Sequence, residues 1–345
     1  MEYIFDEKDQ GRVVKNLEDG QVRVSKILIH PIKSCRGLSV PEVRFTPKGL
    51  EHDRTWCIIE AESHRIITAR AVPNMVLITP RIVEDSGNIG SGRLELSFPA
   101  NSGCETFSVP LRPSLDILKG WKLLDDCSVH IWDDLDGYVT EALGPEPTLC
   151  SDILTKFFGK PVHLLYKGPR NRAAPPTWSF PKLSATVAFQ DAYPLMMSSE
   201  ESFKRTVNMV DEWYTKQVSV QDDVKHAAKS MVIERFRSNI VFSGAGVGFA
   251  EDMWKEITIS PALSSRSSGI AFTMVSKCTR CMLPNVDPAS GHRNMSIPNK
   301  PLMLFRRGLD PGRDTLSCFG VNATTKGNGV LRLGDVVSVS EWGNV

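Results

Sequence analysis

The sequence predicts a mostly β protein with a few helices, an α+β chain built as two β-barrel-like units. Two observations carry that expectation. From residue 22 to about 133, short runs rich in Val, Ile and Thr recur, several of them separated by Gly- or Pro-bearing turns, which suits a barrel or sandwich better than a doubly wound sheet. After a proline-rich basic stretch, "KGPRNRAAPPTWSFPKLS" at 167–184, short strands return to the end of the chain. The expected organisation is a flexible terminus over 1–20, one β unit over 21–175 and a second over 176–345.

In chain order, "VRVSKILI", "VRFT", "TWCIIE", "RIITA", "MVLITPRIV", "RLELSF" and "SVHIW" read as strands. Residues 134–150, "DLDGYVTEALGPEPTLC", look like an insertion with no assignable role. A helix follows at "SDILTKFFGK", with Ser151 as its N-cap and Gly159 as its stop, and then a strand at "PVHLLY". "ATVAFQDAYPLMM" reads as a strand containing a turn. Ser198 with Glu201 forms a capping box, and Phe203, Val207, Val210 and Tyr214 follow at helical spacing, so a helix is expected over 199–215. A polar stretch, 216–231, separates it from "ERFRSNIVFSG". "WKEITI", "GIAFTMVS", "PLMLF" and "VLRLGDVVSVS" are read as further strands.

The 345 residues carry 41% hydrophobic and 23% charged side chains, and the formal net charge is +1. Such balance gives no reason for bulk attraction to nucleic acid or membrane, although it leaves room for a local basic pocket. The first twenty residues are too acidic for a signal or transit peptide. No apolar run approaches the roughly 18 residues that span a bilayer, so no transmembrane segment is expected. The eight cysteines show no disulfide-framework spacing and read as reduced thiols, with a cytoplasmic protein as the default.

Two of those cysteines stand in "CTRCMLPNVDPASG", residues 278–291. A structural zinc site needs four ligands, and only His292 and Cys318 lie nearby, neither of them paired. A thioredoxin-like dithiol opens a helix, which Pro284 and Pro288 oppose here. The plant-type iron–sulfur spacing is absent. On these residues alone, two buried cysteines entering an ordinary turn compete evenly with a functional thiolate.

Eight motifs in order resemble the MOSC family of molybdenum-cofactor proteins, and within it the amidoxime-reducing components and their bacterial relatives. They are "HPIKSCRG" (30–37), "HDRTW" (52–56), "ITARAVPNMVLI" (67–78), "FQDAYPLMMSSEESF" (189–203), "RFRSNIVFSG" (235–244), "EDMW" (251–254), "CTRCMLPNVDPASG" and "LRLGDVVSV" (331–339). The resemblance implies an N-terminal MOSC-associated β-barrel packed on a MOSC β-barrel, with a molybdenum–molybdopterin cofactor in the cleft between them. It implies Cys281 as the metal ligand, and a soft thiolate suits a metal already bound by sulfur. Cys278 is then left to packing.

By the same resemblance Lys33, Ser34, Arg54 and Arg237 bind the cofactor's phosphate end, where Arg grips phosphate bidentately. Arg36 is read as an ordinary surface charge. Asp191 and Asn239 fall close to metal or pterin, Asp191 as a catalytic proton source or, read from the residues alone, as an Asx-turn residue. Thr68 and Arg70 fit the motif and are expected to support the contact between units. Ala192 and Tyr193 depart from the small hydroxyl residues that some members carry beside the aspartate.

The implied activity is reduction of N-hydroxylated small molecules to the amine level and water. Electrons would come from an external donor, a cytochrome b5 or ferredoxin-like protein with its NAD(P)H reductase. The rival reading is a cofactor carrier related to the C-terminal domain of molybdenum cofactor sulfurase. That protein's association with pyridoxal phosphate comes by family only, since its pyridoxal-phosphate domain has no counterpart in the two β units. A third reading is a metal-free or zinc-stabilised barrel. Membrane-anchored members carry an apolar N-terminal segment not seen here, so cytoplasmic placement is expected, with mitochondrial association as the alternative.

Overall fold

Strand Arg23–Ile29 closes a barrel whose other six strands all lie beyond residue 194. The computed structural model describes residues 6–84, 92–129, 132–140, 150–216, 230–262 and 269–343. Around the barrel run Ile240–Ser243, Leu195–Ser199, Cys318–Thr324, Ile270–Thr279, Trp254–Ser260, Val336–Trp342 and Arg23–Ile29, which pairs again with Ile240–Ser243. Seven strands therefore form a closed ring without a free edge. All these pairings are antiparallel except that of Leu195–Ser199 with Ile240–Ser243.

The barrel interior is filled by Val24, Ile27, Met197, Phe242, Trp254 and Phe272, all buried. Each contributes about 1.5–3 kcal/mol of hydrophobic stabilisation on full burial. At its closing seam Gly244 adopts φ +92°, and a Cβ there would lie 2.2 Å from the carbonyl oxygen of Gln21. Only glycine lets the two segments cross so closely.

A second unit holds two antiparallel sheets. One contains Trp56–Glu60, Val162–Lys167, Trp132–Val139 and Leu123–Val129, and the other Thr79–Glu84, Gly92–Ser97 and Phe107–Pro110. Trp56, Ile58, Leu94, Leu96, Val109 and Leu164 pack between them, with Leu154 from helix Cys150–Phe158. The chain is thus mostly strand with five described helices. Two strands within 23–46 pair with the far part of the chain. Arg23–Ile29 lies in the barrel, and Glu42–Thr46 pairs with Gly329–Arg332.

Other local expectations change as well. Within the stretch expected to be flexible, Glu7–Glu18 forms a helix. Asp6 caps it by accepting from the Asp9 N–H at 2.8 Å, and Val13 and Leu17 enter the barrel core. Residues 134–139 of the supposed insertion belong to strand Trp132–Val139, paired on both sides, and its Asp136 is buried because Lys167 and the Arg170 N–H satisfy it. Residues 141–149 of that stretch lie outside the described residues, as do 217–229 of the polar stretch. "RIITA" supplies only isolated bridges at Arg65 and Ile66.

"PLMLF" is helical, within Asn299–Phe305: Leu302 is buried while Leu304 is 63% exposed. Those two side chains would share one face of a strand, whereas a helix separates them. Helix Glu200–Thr215 is capped by Ser199, which accepts from the Ser202 N–H at 3.1 Å. Ser198 instead bonds Ser238, and Glu201 accepts from Gly244 and Gly246. Among the described residues no helix is long and apolar enough to cross a membrane.

Candidate functional site

Where turns of residues 33–70 meet the barrel lies a cleft of about 310 Å³. Lys33, Ser34, Arg54, Asp191, Arg237, Asn239 and Cys281 all line it, so the structure brings the expected cofactor-binding and catalytic residues to one cavity, whereas Arg36 and Thr68 are not part of its lining. Three of them, Ser34, Arg54 and Arg237, hold left-handed backbones at φ 68°, 51° and 57°. Such conformations cost about 1–2 kcal/mol outside glycine and persist where surrounding structure over-determines them, as at binding sites.

The inner wall is built on a buried ionic scaffold. Asp53 accepts from the His30 N–H at 2.8 Å and pairs with the Arg54 guanidinium. Burial alone would raise its carboxyl, but Arg54 and His30 outweigh that and hold it well below the usual range. Burial, with the Arg237 and Arg54 charges, lowers His30 to about 3 and keeps it neutral. Arg54 is aimed by donating to the Arg237 carbonyl at 3.1 Å and to the Asn239 side-chain oxygen at 3.4 Å. Asn239 also accepts from the Met196 N–H at 3.1 Å and donates to the Leu28 carbonyl at 3.4 Å. Its amide thus works inside the wall as a brace for Arg54.

Arg237 donates to the Cys35 carbonyl at 2.6 Å, and its second nitrogen, Nη2, is buried without a partner among the described residues. Burial, with Arg54 alongside, brings its guanidinium down to about 9, so it remains a cation at neutral pH. Lys33 donates to the Phe189 carbonyl at 2.8 Å and to Asp191. The Asp191 side chain is 63% exposed, although Lys33, Arg70 and Arg54 surround it in the concavity.

The outer wall carries the cysteines. Strand Ile270–Thr279 ends at Cys278 and Thr279, and the turn of Leu283–Asn285 follows. Between the thiols, Arg280 donates to Cys278 Sγ at 3.0 Å and to the Phe236 carbonyl at 2.8 Å. Burial raises the Cys278 thiol, against the pull of Arg280. Cys278 therefore packs against the Phe236–Phe319 cluster while remaining in the cleft. Cys281 is partly exposed and no hydrogen bond to its sulfur is formed among the described residues. Its loop is tied down by Arg235 to Asp287 and by Arg36 to the Pro288 carbonyl at 2.6 Å. Arg36 is accordingly a clamp between units and lies outside the cleft.

Seven basic side chains line the cavity against two carboxylates, in a protein of net charge +1. The sequence reading left out Arg280 and Arg313 and gave Arg70 only a supporting role. Arg280 had a signal, since it stands inside the Cys-x-x-Cys stretch. Arg313 had none. Cations so concentrated, with Arg237 Nη2 and Arg280 Nε both buried and unpartnered among the described residues, fit a polyanionic ligand. Among the described residues no three His, Cys, Asp or Glu side chains gather to hold a metal ion. Taken with those residues alone, Cys281 could serve as a single ligand to a metal that brings its others.

Comparison with known proteins agrees with this architecture. The family model described as MOSC N-terminal beta barrel domain matches residues 21–144, and that described as MOSC domain matches 184–338. Mitochondrial amidoxime reducing component 2 of Rattus norvegicus is 30% identical over 325 residues, covering 91% of this chain and 82% of that protein. Mitochondrial amidoxime-reducing component 1 of Danio rerio is 27% identical over 332 residues, covering 91% and 83%. Molybdenum cofactor sulfurase of Danio rerio is 27% identical over 293 residues, covering 83% of this chain and 30% of its own length. The chain belongs to the MOSC-domain family, with a MOSC N-terminal barrel preceding the MOSC domain.

Proposed function

We propose that the cleft holds a molybdenum–molybdopterin cofactor and that the protein reduces N-hydroxylated small molecules to the amine-level product and water. One observation carries this reading: Cys281, whose thiol has no hydrogen-bond partner among the described residues, shares a cavity with seven cations. The residues present fit the group. Arg54, Arg237, Ser34 and the remaining N–H of Lys33 would hold its phosphate end, braced by Asn239, and Cys281 would be the protein's ligand to the metal. When bound, the cofactor supplies two-electron oxygen-atom chemistry at the metal.

The chain's own share is to orient substrate between Cys281, Tyr193 and Asp191, and to manage protons there. Lys33 and the neighbouring arginines hold Asp191 ionised, so at neutral pH it accepts a proton more readily than it gives one. Electrons would come from an external carrier, a cytochrome b5 or ferredoxin-like protein with its NAD(P)H reductase, docking weakly. Cytoplasmic placement is the proposal, with mitochondrial association as the alternative that the relatives' names raise.

The test is reduction of an aryl amidoxime by purified protein with reduced viologen as electron source. Conversion to the amidine by wild type, and none by Cys281→Ala, is the expected result. Cofactor bound in stoichiometric amount without any conversion would replace this reading with that of a carrier, as the sulfurase relative suggests.

A further inference from the structure

Not every cation of the cleft is engaged by the phosphate end of a cofactor. We propose that the outer rim selects N-hydroxylated substrates that carry a carboxylate, and that Arg313 is the residue gripping it, an inference that rests on the function proposed above.

Position carries the assignment. Arg313 is exposed on a turn at the mouth, and its Nη1 donates to the Thr279 hydroxyl at 3.4 Å. Thr279 precedes Cys281 by two residues, a stretch of chain that reaches at most about 7 Å. The guanidinium is therefore anchored beside Cys281, within the span of one small molecule. The Tyr193 phenol feels the charges of Arg313, Asp310 and Cys278 together, which sets these groups at the same rim. The turn itself is fixed: the Arg313 N–H donates to the Asp310 carbonyl at 3.0 Å, and the Leu316 N–H donates to the Arg313 carbonyl at 3.0 Å. The Asp310 carboxylate is taken up by the Gly312 N–H at 2.9 Å. Among the described residues Arg313 forms no ion pair, so its guanidinium keeps donors for a ligand, in the planar fork that grips a carboxylate bidentately.

Charge balance points the same way. Cations lining the cleft outnumber its carboxylates by five. A phosphate ester offsets about two of these and a Cys281 thiolate one more, so the loaded cleft stays positive. An anionic substrate meets that excess, whereas a neutral one leaves it unmatched. Tyr193 and Leu316, the latter 38% exposed, give the rim apolar surface for a ring. The class that fits is an N-hydroxylated aromatic acid.

Benzamidoxime and 4-carboxybenzamidoxime differ only in the carboxylate. With reduced viologen as electron source, wild type should convert the acid with a kcat/KM about 10-fold above that of the neutral compound. The preference should shrink between about 0.01 M and 1 M salt, as the Debye length falls from about 30 Å to about 3 Å. In Arg313→Gln the ratio should fall to about one. Arg313→Lys, which keeps the charge without the fork, should recover part of it.

Binding without turnover gives a second readout. 4-Carboxybenzamide has no N–O bond to reduce, and titration calorimetry of molybdenum-loaded protein should show it binding more tightly than benzamide, a difference that Arg313→Gln erases. Equal kcat/KM for the two amidoximes, or a preference that survives Arg313→Gln, would overturn the assignment. So would loss of molybdenum from Arg313→Gln, which would make the arginine a cofactor residue. Conversion of neither amidoxime by molybdenum-loaded protein would instead sink the reductase reading, and this one with it.

Discussion

Arg237 combines the two features that best mark the site at the scale of one residue: a left-handed backbone at φ 57° and a buried nitrogen without a partner among the described residues. Substitution by glycine separates them. Arg237→Gly relieves about 1 kcal/mol of backbone strain and loses the bond to the Cys35 carbonyl, worth a similar amount. Thermal unfolding should therefore move by only a few degrees, while retained cofactor falls sharply. A large fall in Tm with cofactor retained would make the residue structural.

His30 gives a pH prediction at the same scale. Its folded value of about 3 lies below the unfolded 6.5, so the unfolded chain binds the extra proton between them. The stability this group contributes is present above pH 6.5 and is lost as pH falls toward 3. Denaturant unfolding of His30→Gln should show a shallower loss over that window than wild type. Equal slopes would contradict a buried neutral imidazole.

Among the elements, helix Glu200–Thr215 stands on a buried carboxyl. Glu251 accepts from the Ser199 N–H at 3.2 Å and from the hydroxyls of Ser199 and Ser202 at 2.9 and 2.8 Å. Burial, then the Asp252 charge, raises it to about 7. Here the folded value lies above the unfolded one, so the contribution is present below about pH 4.5 and is lost as pH rises through 7. Every tenfold change in proton affinity on folding corresponds to about 1.4 kcal/mol. The advantage in Tm of Glu251→Gln over wild type should accordingly grow between pH 6 and pH 8.5. A constant difference would show that the carboxyl does not change charge there.

This helix was legible from its periodicity, although the cap is Ser199 and not Ser198, because two serines in a row offer the same chemistry. Strands rich in Val and Ile were equally legible. The acid-bearing strand Trp132–Val139 was not, since nothing local announces that Lys167, far along the chain, satisfies Asp136. Helix Glu7–Glu18 escaped notice because its buried side is only Val13 and Leu17.

For the whole molecule, the instructive feature is that strand Arg23–Ile29 closes a barrel made by residues 195–342. Local pattern identifies a strand but not its partner, and so the closure could not be read from sequence. Its consequence is testable. A fragment of residues 176–345 lacks the seventh strand and leaves two edges open, so it should be insoluble or unfold without cooperativity. A soluble fragment with a sharp thermal transition would contradict the interlocked fold. The cleft, by contrast, was legible in its main residues because they sit in the family's motifs. Arg313 was not, being brought in by folding alone.

The central claim is that Cys281 and the cations of this cleft hold a molybdenum-bearing pterin. It is tested most directly by measuring molybdenum and fluorescent pterin derivative in wild type and in Cys281→Ala, both purified from a host that makes the cofactor. Near-stoichiometric metal and pterin in wild type, with the metal lost from the variant, is the result predicted. Wild type without molybdenum, or a variant that keeps it, would contradict the claim.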